Sequence, residues 1–320
     1  FVEAWNSPGI QAVRHAISAG TPHDTCREDC PTFHGDNTAD MNWLFQRPKS
    51  RAVYDNTVKM VREMLDGVEH VESTPLSVTV SVEQTCNIKC VMCSVVYGGP
   101  ESRGEAHVLD PVGAEELKSL FPKIRTFALM GGEPTIAPLT RELLAAYEAE
   151  TYPDATAFMT TNGILLTPRY TSALRKSRLN FMVSLNAATA ATYERITGRR
   201  GGFERVLDNV RALLDPSAGF EHRPNIVLSF VVMKDTYREV PAFLDIAREL
   251  GTTIRLQAVY GELGGQSVFT DEALLTAVCE YFDREVLPNL DSYPTNFQVS
   301  TRRVAHMMRT RLENRDFSPY

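Results

Sequence analysis

The chain is short of several features that would each have fixed a class. No apolar run approaches the roughly 18 residues that a membrane span needs, so no membrane partner is expected. No basic stripe is present: the longest basic cluster is Arg199-Arg200 with Arg195 nearby, and the net charge is −7. That balance, with a pI near 5.6, argues against a protein that tracks nucleic acid. No basic-then-apolar leader is visible, which points to the cytoplasm, although the chain opens on Phe1 and native sequence is expected upstream. Internal repeats and low-complexity tracts are missing. Cysteine is scarce at six residues, yet Cys86, Cys90 and Cys93 fall within eight positions, "TCNIKCVMCS". Clustered thiols without a secretion signal favour metal or redox chemistry over a disulfide framework.

What is present is an ordinary globular composition, 43% hydrophobic and 23% charged, enough for one large α/β domain with a smaller appendage. Short β-rich runs alternate with amphipathic helical ones. Strands are expected at 77–83 ("SVTVSVE"), 124–130, 155–161, 179–186, 225–233 and 252–260. Helices are expected between them, for example "TPRYTSALRKS" with Thr167 as N-cap and Pro168 at its first position. Six strands alternating with helices imply parallel pairing, because each crossover needs a helix. An incomplete (β/α) barrel and an open doubly wound sheet both satisfy this, and both gather functional residues at the carboxyl ends of strands. The chain divides into an N-terminal cysteine-bearing segment (1–48), a linker helix (49–75), the alternating α/β region (76–260) and a C-terminal helical cap (261–320).

Cys86, Cys90 and Cys93 follow the first strand directly. As packing residues, thiols spaced four and three apart would share a helical face. As structural zinc ligands they lack a local fourth, His107 being the nearest candidate. As iron–sulfur ligands, three thiolates hold three irons of a 4Fe-4S cluster and leave the fourth open.

CxxxCxxC after the first strand and "GGEP" (Gly131 to Pro134) after the second, taken together, resemble the radical S-adenosylmethionine (SAM) family over about residues 77–260. The resemblance implies a partial (β/α)6 TIM-like barrel with parallel strands. It also implies an enzyme whose 4Fe-4S cluster binds SAM at its open iron and cleaves it to a 5′-deoxyadenosyl radical that abstracts hydrogen from a substrate. An electron donor such as flavodoxin or ferredoxin is implied as a partner. Carried across residue by residue, Met92 would border the adenine, and Gly131 and Gly132 would let the backbone approach the SAM amino group, with Glu133 beside that ammonium. Ser184 and Asn186 would contact SAM at the fourth strand's end, Asn186 having helix capping as its ordinary alternative. Arg195 would pair with the SAM carboxylate, Thr161 and Asn162 would end the third strand at the site, and Val259 with Tyr260 would offer backbone to the adenine.

"AWNSPGIQAVRHAISAGTPHDTCREDCP" resembles the SPASM or twitch extension that carries auxiliary clusters, although it precedes the barrel and holds only Cys26 and Cys30. Those two are candidate ligands of an auxiliary iron–sulfur cluster; a zinc site using His23 or His34, or no metal, are the alternatives. Cys279 sits among apolar residues of a helix, and is a core residue or a weak candidate for returning a hydrogen atom to a substrate radical.

Acidity and the missing basic tracts disfavour RNA as substrate. A small metabolite such as a sugar, aminoglycoside or nucleoside in natural-product biosynthesis is expected first, undergoing epimerisation, dehydrogenation or dehydration, and a ribosomally made peptide second. Loop residues Tyr97, Glu101, Arg103, Glu221, His222, Tyr260, Glu262 and Gln266 are candidate recognition groups or solvated polar residues. A metal-stabilised binding module without catalysis is the alternative of another class.

Overall fold

A computed structural model describes residues 2–21, 23–24, 47–93, 109–148, 150–259 and 263–317. Cys26, Cys30, His34, Tyr97, Glu101, Arg103, His107, Tyr260 and Glu262 lie outside the described residues. None of the described helices is long and apolar enough to cross a membrane.

Among the described residues six strands appear where alternation and β-branching place them: β1 (Ser77–Glu83), β2 (Thr126–Gly131), β3 (Thr156–Thr161), β4 (Leu179–Ser184), β5 (Asn225–Val232) and β6 (Thr253–Ala258). All five pairings are parallel and the spatial order is β1-β2-β3-β4-β5-β6. Sequential order means that every crossover steps the same way, as in a barrel. A doubly wound sheet would reverse direction at a switch point. The order therefore decides the question that periodicity left open. β1 and β6 do not pair, so the barrel is open. Both free edges are partly covered: Leu109 N–H donates to Ser81 O (3.0 Å) beside β1, and Leu256 N–H donates to Ser300 Oγ (2.8 Å) beside β6.

Among the described residues nine helices have eight residues or more: α1 (Pro8–Ser18), α2 (Arg51–Leu65), α3 (Pro111–Leu120), α4 (Pro138–Ala146), α5 (Ala190–Thr197), α6 (Gly202–Leu214), α7 (Val240–Leu250), α8 (Glu272–Tyr281) and α9 (Thr295–Glu313). The crossovers cover the sheet's outer face. There Phe127 stacks on Phe121 (ring centroids 4.8 Å) and meets Tyr147 edge-on (5.3 Å), and Phe230 meets Phe243 of α7 (4.7 Å). Gly251 ends α7 in the left-handed conformation (φ 67°), as its position after the last periodic residue predicts.

Two helices differ from expectation. The segment after Thr167 keeps the N-cap bond (Tyr170 N–H to Thr167 Oγ1, 3.3 Å) but runs as α-helix only over Pro168–Thr171, then as a 3-10 turn over Ser172–Leu174. Thr171 and Ser172 hydroxyls bond back to Thr167 O and Arg169 O, the side-chain competition that weakens helices in such residues. After α8 the chain passes through a π turn at Phe282–Val286 into a 3-10 turn, because Pro288 cannot continue an α-helix.

The N-terminal helices dock on the segment leading into β1. Trp5 Nε1–H donates to Ser73 O (3.1 Å), while Asn6 exchanges bonds with Val71 through both its side-chain atoms (2.8 and 3.0 Å). The Trp-Asn pair of the cysteine-bearing segment thus serves as a structural clasp.

Candidate active site at the carboxyl ends of the strands

β1 leaves the sheet through a bulge between Ser81 and Glu83 and enters the loop carrying the three cysteines. Three approaches hold that loop. Glu133 N–H donates to Thr85 O (2.9 Å), fastening it to the end of β2. Lys89 and Val91 N–H groups donate to Thr197 and Ile196 carbonyls (2.9 Å each), capping the C-terminal turn of α5. Gly264, with φ 64°, passes so close that a Cβ there would stand 1.9 Å from Val91 O. The chain leaving β6 therefore meets the loop leaving β1 although the two strands do not pair.

Gly132 is fixed for a similar reason: a Cβ would stand 2.1 Å from Thr85 O, so only glycine admits this approach of two backbones. Its neighbour Gly131 adopts φ 124°, a region that favours glycine.

Cys86, Cys90 and Cys93 are free thiols, each partly buried, and Cys86, Cys90 and Met92 pack against the core. Burial pushes the Cys90 thiol up to about 12, with smaller contributions from Cys93 and Cys86; burial also raises Cys86. The mutual influence places the three thiols at one locus. Among the described residues, no three His, Cys, Asp or Glu side chains converge closely enough to hold one metal ion. A four-iron cluster takes each thiolate at a separate iron.

The donor set fits that cluster: three soft sulfur ligands of the kind it selects, on a loop held against Gly132 through Thr85. A further sign is Tyr193. Its hydroxyl is buried with no hydrogen-bond partner among the described residues, and its pKa is raised by burial first, then by Cys90, Cys86 and Glu133. An orphaned donor beside the thiols is what an absent acceptor leaves behind.

Glu133 is bonded on both oxygens by its own neighbours. It is 1% exposed, and both carboxylate oxygens are occupied. One accepts from Thr135 N–H (3.0 Å), the Thr135 hydroxyl and the Thr161 hydroxyl (2.7 Å); the other accepts from Asn162 N–H (2.7 Å). The carboxylate is thus a hub joining the ends of β2 and β3. Thr161 and Asn162 are accordingly buried. Asn162 extends the chain of contacts, since its Nδ2 donates to Asn87 Oδ1 (2.6 Å) and to Cys86 Sγ (3.7 Å). Asn87 is a residue that sequence reasoning missed; its place inside the cysteine motif was the available signal.

Asn186 neither caps a helix nor points outward. It holds a left-handed backbone (φ 56°) while its Oδ1 accepts from Val231 N–H (3.0 Å), clamping β4 to β5, and Thr189 caps α5 instead. Ser184 stands half-buried at the end of β4. Arg195 lies half-exposed on α5, donating to Thr192 Oγ1 (3.1 Å) and Asp235 O (3.5 Å), with the Asp235 carboxylate 3.8 Å away. Val259 is buried and bonds to Val232 O (3.3 Å). Cys279 is not brought to this site: it is buried in α8, its charged neighbours are Asp283, Arg309 and Glu313 of the cap, and burial pushes its thiol up to about 11. It belongs to the packing of the cap. Of the loop candidates, Gln266 faces Asp235, its side chain bonding both N–H and carboxylate of that residue (3.3 Å each).

Residues 80–247 match the family model described as the radical SAM superfamily. A probable GTP 3′,8-cyclase of Methanococcus maripaludis is 27% identical over 181 residues, which are 56% of this chain and 58% of the relative. One of Saccharolobus islandicus is 26% identical over 209 residues, 64% of each chain. The chain thus spans less than two thirds of the length of these curated relatives. Among solved structures, Streptococcus suis SuiB bound to S-adenosylmethionine shares the fold at TM-score 0.54 and 18% identity, covering 81% of this chain and 60% of that one. A second, anSMEcpe with bound AdoMet, does so at TM-score 0.50 and 18% identity, covering 67% of this chain and 63% of that one.

Proposed function

The chain belongs to the radical SAM superfamily of enzymes, and on that premise we propose that it abstracts a hydrogen atom from a small molecule with a sugar or nucleoside character. Cys86, Cys90 and Cys93 would hold three irons of a 4Fe-4S cluster, leaving the fourth for the amino and carboxylate groups of SAM. When bound, the cluster and SAM supply one-electron cleavage of a sulfonium and with it a carbon radical, given an electron from a donor such as flavodoxin or ferredoxin.

The chain's own residues bind, orient and seal. The loop of three thiols is clamped from β2, α5 and the exit of β6, so the ligand set is held before any cofactor arrives. Gly131 and Gly132 bring bare backbone to the place where the SAM amino group would sit, and Met92 lies in the same loop as an apolar wall. Glu133 acts through Thr161 and Asn162, keeping the strand ends in register beside Cys86. Arg195 is the candidate for the SAM carboxylate. Its present partner Asp235 is a half-exposed ion pair of the kind that contributes little, so exchange for a ligand carboxylate is inexpensive.

The observation that carries this proposal is the docking of the three-thiol loop on Gly132, two motifs distant in sequence and interlocked in space. In favour of a small molecule stand the acidic net charge and the relatives named for a reaction of GTP. The test is anaerobic reconstitution with iron and sulfide, followed by SAM and a reductant. A brown protein that yields 5′-deoxyadenosine is expected, and Cys90→Ala should abolish the yield while the far-ultraviolet circular dichroism stays that of wild type. A colourless, zinc-loaded protein inert to SAM would sink the proposal. Deuterium transfer from candidate substrates into 5′-deoxyadenosine would then identify the hydrogen donor.

A further inference from the structure

The inner face of the barrel carries a cation that the site described above does not use. Strand parity sets it there. Ser184 pairs with Ser229 and Ser229 with Arg255, one row running across β4, β5 and β6. The next residues along, Phe230 and Leu256, belong to the buried outer face, where Phe230 meets Phe243 of α7. Arg255 therefore projects into the lumen with Ser184 and Met182. Its side chain reaches over the buried Ser229, and Nη1 lies 3.9 Å from Met182 Sδ.

An arginine in mid-strand on a concave face is not the ordinary solubility arginine of this protein. Those sit on helices beside carboxylates, as Arg211 with Asp208 (2.9 Å), Arg248 with Asp245 (2.7 Å) and Arg302 with Asp291 (2.7 Å) do. Arg255 is exposed, and among the described residues no carboxylate lies within ion-pair distance of it. It is also the only ionised group among the inward-facing strand residues whose side chains are described. The other described side chains of that face are apolar or neutral. Met130 is 41% and Phe158 40% exposed, an unusual outlay of large apolar surface on neighbouring strands.

We propose that Arg255 is the anchor for an anionic group, phosphate or carboxylate, of a small molecule whose body lies over Met130, Phe158 and Met182. A guanidinium matches either anion with a fork of paired donors. Concave walls of low polarity strengthen that attraction over its value at an open surface. Arg255 lies level with Ser184, two strands and about 10 Å away across the sheet. An anion held there would leave the body of the molecule reaching toward the cysteine loop on the β1–β2 side. This deepens the proposed function by naming the substrate's chemistry, and it rests on that function for its purpose.

The experiment labels the full-length, anaerobically reconstituted wild-type protein with phenylglyoxal, which condenses with free guanidinium groups, and follows each arginine by peptide mass spectrometry. Inorganic pyrophosphate, succinate and SAM are added in separate arms, and Arg302 on α9 is the control. The expected result is that pyrophosphate or succinate slows labelling of Arg255 at least about five-fold at millimolar concentration, as occupancy of a site requires, and leaves Arg302 unchanged. The protecting arm tells phosphate from carboxylate. Unslowed labelling of Arg255 in both anion arms, or equal slowing of Arg302, overturns the proposal. So does protection by SAM as strong as by either anion, which would make Arg255 the holder of the SAM carboxylate. Labelling does not depend on SAM cleavage, so an absent anion site leaves the cleavage test standing, and an inert cluster leaves this one readable.

Discussion

Replacing Glu133 by Gln keeps its shape and removes half of what its carboxylate does. The amide oxygen can still receive the three donors now gathered on one oxygen, from Thr135 N–H, the Thr135 hydroxyl and the Thr161 hydroxyl. The amide NH2 must then face Asn162 N–H, which is 2.7 Å from the other carboxylate oxygen, so a donor meets a donor in a buried place. One buried backbone group left unsatisfied costs about 1–3 kcal/mol. Glu133→Ala strips the acceptor from two backbone N–H groups, Thr135 and Asn162, and should cost about twice as much. Urea unfolding of the cluster-free protein, followed by far-ultraviolet circular dichroism, reads the loss as a lower midpoint at unchanged slope. Because Asn162 also bonds Asn87 and Cys86, the Gln variant should reconstitute with less iron per chain than wild type. A Gln variant with wild-type midpoint and iron content, weakened only in its affinity for SAM, would refute the hub and restore a direct contact with the ligand.

Two further outcomes follow from the same geometry. Gly132→Ala places a methyl 2.1 Å from Thr85 O, a clash with backbone that no rotamer relieves; a loss of about 1–3 kcal/mol or more is expected, measurable as a lower urea midpoint together with poor iron loading. At alkaline pH the protein should weaken, because burial holds Cys279 near 11 and Tyr147 near 12, above their ordinary values of about 8.5 and 10. Native protein keeps these protons while unfolded chain releases them, so the contribution is complete below about pH 8.5 and declines as pH rises toward 11–12. Urea midpoints at pH 8, 9 and 10 should therefore fall in order, and a flat series would show both groups to be hydrated in the native state.

Strands were the most legible part of the fold, since β-branched runs such as "SVTVSVE" and "NIVLSFVVM" declare a pleated, half-buried surface locally. Helix type was less so. Whether Ser172 continues an α-helix or tightens into a 3-10 turn depends on which carbonyl its hydroxyl finds, and the π turn at Phe282 depends on how α8 must land on Pro288. At the site, the two motifs were legible as spacings, but the approach of Gly132 to Thr85 and the bonds from Thr161 and Asn162 to Glu133 were not. Motifs report residue types at a spacing; they do not report which of several donors reaches a carboxylate first.

By itself the sequence determined that parallel strands alternate with helices and that three thiols follow the first of them, because periodicity, turn chemistry and ligand spacing are properties of neighbours along the chain. Only the tertiary structure decided that the strands run in one circular order, that Gly132 and Gly264 press on the cysteine loop, that Asn162 reaches Cys86, and that Arg255 faces the lumen. Each of those depends on register and close approach between segments far apart in the chain, set by how the whole sheet packs.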